Sequence, residues 1–136
     1  MGWRRVGRGF LDAHSTSPIC VPSRYSLLTG EYYWRVGKTR GRFFPRDRQL
    51  LIDPAKVTLG SLMKKAGYRT AFIGKWHLGF GAAGPDWNHR LAPGPTDLGF
   101  DYFFGLPGTH SEKPLVFVGG GTGLSASTRR TRFENL

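Results

Sequence analysis

The stretch that most constrains the fold is "TLGSLMKKAGYRTAFIG", residues 58–74. Leu59, Leu62, Met63 and Ala66 recur at i, i+3, i+4 and i+7, the spacing that lines one face of a helix with apolar side chains. Thr58 precedes them as a cap, and Gly67 supplies the residue that ends a helix. "YRTAFIG" (68–74) follows at once and reads as a strand. Helix, glycine, strand is half of an α/β unit, so the expected class is α/β, a sheet with helices packed on it.

The rest of the chain supplies further pieces. "GFLDAHS" (9–15) reads as a strand end entering a turn, and "STSP" (15–18) as an approach to a helix over Pro22–Thr29 that stops at Gly30. Residues 31–57 show no clear period and read as a long loop. "GFGAAGPDWNHRLAPGPTD" (79–97) is a Gly/Pro-rich loop, while "LGFDYFFGLP" (98–107) and "PLVFV" (114–118) are strand candidates. From Gly119 the chain loses its hydrophobic period, and 119–136 is expected to be a disordered or out-of-frame tail.

The 136 residues, 39% hydrophobic and 14% aromatic, suit a single domain with a modest core and exclude global disorder. No apolar run is long enough to cross a bilayer, and "MGWRRVGRGFLDAH" lacks the apolar segment of an export signal. Val6 breaks the myristoylation pattern. The net charge of +11 invites a nucleic-acid reading, because Lys and Arg release counterions from phosphate. The charge is uneven: residues 1–50 hold ten Lys/Arg against three acids, while 101–136 hold four against three. The dense stretch "RVGKTRGRFFPRDR" (35–48) mixes Arg with Phe43 and Phe44, either a basic-aromatic patch or a solvated loop. No helix-turn-helix, zinc-finger or RNP-type motif accompanies it, so nucleic acid is not the expected partner.

Cys20 is the only cysteine, which rules out an internal disulfide and a multi-cysteine metal site. It sits near the start of the helix expected from Pro22, where backbone donors favour an anion. It is filler, a reactive thiol or a precursor of another group. Arg24, four residues on, shares its helix face and suits holding a negative group there. In "GKWHLG" (74–79), Lys75 and His77 are two apart, so at a strand end they project from one face while Trp76 turns the other way. A cation beside an imidazole suits binding an anion and moving a proton. A surface lysine and a half-buried histidine would look the same.

Together the two segments are more specific. "CVPSRYSLLTG" (20–30) resembles the first signature of the sulfatase family, Cys-x-Pro-Ser-Arg followed by Leu-Thr-Gly. "GYRTAFIGKWHLG" (67–79) resembles the second, Gly-Tyr-x-Thr then Gly-Lys-x-His-Leu-Gly, and the two occur in the family's order. "FLDAHSTSPIC" and "LGFDYFFGLPGTH" are similar to the flanks, so the resemblance spans 9–118. It implies part of an alkaline-phosphatase-like sulfatase fold, a mixed sheet flanked by helices. It implies a sulfuric ester hydrolase of arylsulfatase type acting on a small sulfate ester or a sulfated glycan.

In that family the motif cysteine is oxidised to formylglycine, so Cys20 is the implied precursor and the formylglycine-generating enzyme an implied partner that reads Pro22 and Arg24. The hydrated aldehyde attacks sulfur through one hydroxyl and the alcohol leaves; loss of the second hydroxyl's proton then expels sulfate and restores the aldehyde. Arg24 is implied to stabilise the hydrate, Lys75 to neutralise sulfate charge, and His77 to accept the proton. Thr109 or His110 in "GLPGTH" is a further substrate-contact candidate, whereas His14 reads as scaffold and His89 as a loop residue.

The family's divalent cation, commonly Ca2+, binds the formylglycine at the Cys20 position together with carboxylates. Its Asp-Asp pair lies well upstream of the cysteine and its Asp with Asn or Gln far downstream; neither is expected here. The chain therefore reads as an internal piece of a sulfatase, with an inactive fragment and a small basic nucleic-acid-binding protein as alternatives. The family is periplasmic, secreted or lysosomal, and the chain carries no signal that selects among these.

Overall fold

The computed structural model describes residues 7, 9–36, 49–81, 85, 89–109 and 116–120. Helix α1 spans Cys20–Thr29 and helix α2 Leu59–Lys65; strands β1 (Ala71–Ile73), β2 (Tyr102–Gly105) and β3 (Val118–Gly120) follow. Short 3-10 turns lie at Tyr33–Val36 and Pro95–Leu98. The sheet order is β1-β2-β3. β1 and β2 are parallel, with Phe72 opposite Phe103, and β2 and β3 are antiparallel, with Phe104 opposite Gly119. This is a small mixed α/β sheet, as the helix-glycine-strand pattern predicts. Among the described residues no helix is long and apolar enough to cross a membrane.

The core lies on one face of the sheet. Val21, Tyr25 and Leu28 of α1 join Trp76, Leu78 and Phe103 in one buried cluster, so α1 packs on the face that carries Phe72 and Phe103. Phe72 meets the rings of Trp76 and Phe100 edge-on at 5.2 and 5.5 Å, which favours the contact beyond simple burial. The opposite face stays open. Ile73, Tyr102 and Phe104 are 73%, 41% and 44% exposed, and Phe104 stacks on Phe117 at 5.8 Å.

Several expectations need correction. α1 begins at Cys20, two residues before Pro22, and ends as expected at Gly30, whose φ of 70° lets its N–H reach the Ser26 carbonyl. α2 is capped by Thr58 through a reciprocal box with Ser61, and the buried Thr58 hydroxyl also donates to the Leu98 carbonyl. Its apolar stripe, however, faces away from the described core: Leu59, Leu62, Met63 and Ala66 are exposed. The helix docks through Gly60, where a β-carbon would touch the Phe100 ring at 3.0 Å. Absence of a side chain decides this contact, which apolar periodicity does not register.

No strand forms over 9–15; Phe10 and Leu11 are exposed, because no described strand runs beside them to pair. The long loop is tied down in part: Leu50 and Leu51 donate to the carbonyls of Gly81 and Leu78, and Ile52 is buried. β3 starts at Val118 and carries Gly119 and Gly120, placed by sequence in the tail, into the ladder. Residues 121–136 lie outside the described residues, as do 114 and 115 of the third strand candidate.

Asp101 locks α2 to the start of β2. It pairs with Lys64 at 2.7 Å and accepts from the Thr70 amide at 2.9 Å. Its carboxyl is held down at about 2, first by Lys64 and then by the Thr70 amide. A depressed folded-state value means the stabilisation is complete above the ordinary value of 3.8 and is lost as pH falls toward 2. Asp101→Asn is expected to flatten the fall of melting temperature across that window, measured by circular dichroism.

Candidate active site

The site forms where the N-terminus of α1 meets the exit of β1. Ser17 Oγ accepts from the Ile19 amide at 3.1 Å, and Ser15 and Ser23 hydroxyls lie 2.7 Å apart, so the approach segment is fastened to the helix it starts. Cys20 therefore occupies the first helical position, half-buried, where free amides and the helix dipole favour an anionic or oxygen-rich group.

β1 ends at Ile73, but its ladder continues irregularly. Gly74 donates to Phe104, Trp76 to Leu106 at 2.8 Å, and His77 to Pro107 at 2.8 Å. Strand alternation would send His77 to the open face with Ile73 and Lys75. Instead His77 takes a left-handed φ of 58°, costing on the order of 1 kcal/mol, and its ring is buried beside α1. His77 Nδ1 stands 3.2 Å from Cys20 Sγ, within reach of an S–H···N bond when Nδ1 carries no proton. The expectation that Lys75 and His77 share a strand face is therefore replaced: the backbone turn, and not alternation, aims the imidazole.

Arg24 completes the junction. Its Nη1 donates to the Lys75 carbonyl, strapping α1 to the β1 exit, while its Nε is buried with no partner among the described residues. A buried donor left unpaired is costly, so Nε suits an oxygen of a bound group. Lys75 is half-buried in this segment. Thr109 is half-buried two residues beyond Pro107, the acceptor of the His77 amide. His110 lies outside the described residues, as do 37–48 of the basic stretch.

The other histidines are elsewhere. His14, expected as scaffold, is an exposed side chain paired with Asp12, because no described strand buries its segment. His89 is exposed in the loop, where sequence places it. Sequence reasoning overlooked Trp76, which alternation merely turns away; its full burial and its bond from Nε1 to the Gly79 carbonyl are tertiary facts.

The described residues do not fit a calcium cage. Among them no group of three or more His, Cys, Asp or Glu is placed to hold an ion. Asp53, Asp97 and Asp101 are engaged in local turns and ion pairs. An oxygen-bearing group at position 20 is compatible with the described surroundings, where His77 Nδ1 stands beside that position and Arg24 Nε has no partner among the described residues.

Comparison with known proteins bears on the family of this chain. The family model described as Sulfatase matches residues 5–114. The N-acetylgalactosamine-6-O-sulfatase of Bacteroides thetaiotaomicron is 44% identical over 121 residues, which is 87% of this chain and 23% of that protein. Human arylsulfatase G is 39% identical over 104 residues, 76% of this chain and 18% of its own length. A solved structure from work on the metabolism of multiple glycosaminoglycans by Bacteroides thetaiotaomicron superposes with a TM-score of 0.72 at 43% identity. That superposition covers 82% of this chain and 24% of the other. The chain thus spans about a quarter or less of the relatives it matches. With the family match covering most of its residues, the chain belongs to the sulfatase family.

Proposed function

We propose that this chain carries the nucleophile side of a sulfuric ester hydrolase site, with Cys20 as the precursor of formylglycine. The observation that carries the reading is the junction of Cys20, His77 and Arg24, brought together across 57 residues of sequence by one hydrogen bond and one strap. Formylglycine supplies a hydrated aldehyde, an oxygen nucleophile toward sulfur that can return to its starting form. His77 Nδ1 holds and moves a proton at that position. Arg24 presents a fixed cation, and its Nε, without a partner among the described residues, binds an oxygen. Lys75 neutralises sulfate charge, and Thr109 and His110 contact the rest of the substrate.

The substrate class is a sulfate ester on an aryl group or a sugar, in keeping with relatives named as an arylsulfatase and an N-acetylgalactosamine-6-O-sulfatase. Calcium belongs to the complete enzyme, because the described residues form no cage for it. That finding also favours a second reading, in which the chain alone is an inactive sulfatase fragment.

The chain co-produced with a formylglycine-generating enzyme tests the first step. Mass spectrometry is expected to find an aldehyde at residue 20; an intact thiol there would sink the proposal. Hydrolysis of an aryl sulfate by the same sample with calcium separates the active from the inactive reading. Salt-sensitive binding to DNA or RNA without either result would support the basic nucleic-acid-binding alternative.

A further inference from the structure

Trp76 is fully buried, yet its indole Nε1–H donates to the Gly79 carbonyl at 2.7 Å. That bond closes the 76–79 turn from within the core. The amides of Trp76 and His77 both donate to the segment that continues β2, at Leu106 and Pro107. A regular strand, with its period of two, does not aim two successive amides at one neighbour. The backbone therefore rotates at His77, and the imidazole arrives at α1 instead of the open face.

The anchor on which this rotation depends is stiff. Phe72 meets the Trp76 ring at 5.2 Å, and Phe80 and Phe103 lie at 6.3 Å. Packing sets where the ring sits; the Nε1–H bond sets where Gly79 sits relative to it. From these contacts we infer that Trp76 is a positioning residue, whose buried ring and bond to Gly79 hold the turn that presents His77 to residue 20. The inference rests on the reading of Cys20 and His77 as members of the site. It adds a residue that acts only through His77.

The full chain made in a host without the modifying enzyme carries Cys20 as a thiol, and its rate of alkylation by iodoacetamide reads the His77 contact. His77→Ala is expected to slow that reaction about tenfold, because the acceptor of the thiol proton is gone. Trp76→Phe keeps a buried ring, removes the donor, and is expected to give nearly the same slow rate. Phe100→Leu loosens the same aromatic core through Phe72, one ring removed from Trp76; it lowers the melting temperature and leaves alkylation at the parental rate. Should Trp76→Phe fail to fold, benzothienylalanine at position 76 keeps the bicyclic shape without the N–H and serves in its place.

A rate in either Trp76 variant closer to the parent than to His77→Ala overturns the inference. So does an unchanged rate in His77→Ala, or an equal slowing in Phe100→Leu. The assay uses neither the aldehyde nor a sulfate ester, so its outcome is independent of the hydrolase reading.

Discussion

Cys20→Ala is expected to abolish aryl-sulfate hydrolysis by the calcium-loaded enzyme that contains this segment, a loss of at least about 10³-fold in kcat. Alanine offers no Cβ–S bond to oxidise to the aldehyde. The fold is expected to survive. Cys20 is half-buried at a helix start, and its thiol makes a polar contact with His77. Losing a weak S–H···N bond costs about 1 kcal/mol or less. Full loss of turnover with a melting temperature close to the parent identifies residue 20 as chemical and not structural. Retained turnover in this variant would remove the basis of the proposed mechanism.

Gly105→Ala is expected to have the largest effect on folding. Gly105 lies at the end of β2 beside Gly74, and a β-carbon there would overlap the Gly74 carbonyl oxygen. That oxygen accepts the Leu106 amide at 3.2 Å, so neither strand can shift without opening the parallel pairing. The cost is about 3 kcal/mol or more, which lowers the melting temperature by roughly 10 °C or more. Gly30→Ala is the control: nothing lies within 4 Å of its β-carbon, and the left-handed φ alone costs about 1 kcal/mol. Equal melting temperatures for the two variants would show that the Gly74–Gly105 approach does not hold the sheet. The strand exit opened by Gly105→Ala carries Lys75 to His77, so the site is lost with the sheet.

The legible parts of this chain were those written in local chemistry. Thr58 and Gly67 mark the ends of α2, and Gly30 marks the end of α1, because caps need particular atoms or a particular φ. The parallel pairing of β1 with β2 was legible only as a class. The apolar stripe of α2 misled, since a stripe shows that a face is buried somewhere and not against which neighbour; here Gly60 makes the contact. The strand expected at 9–15 failed for a related reason, as strand propensity without a pairing partner leaves Phe10 and Leu11 in solvent.

The site divides the same way. By itself the sequence determined which groups are present: one cysteine, an arginine a helical turn later, and a lysine-histidine pair after a strand, in motifs that name the family. Tertiary structure decided how they meet. Alternation sends His77 away from α1, and only the turn at φ 58°, held by the Trp76 indole and the Pro107 carbonyl, brings its Nδ1 to Cys20. A spacing of two residues encodes a direction only while the backbone stays extended, and at His77 it does not.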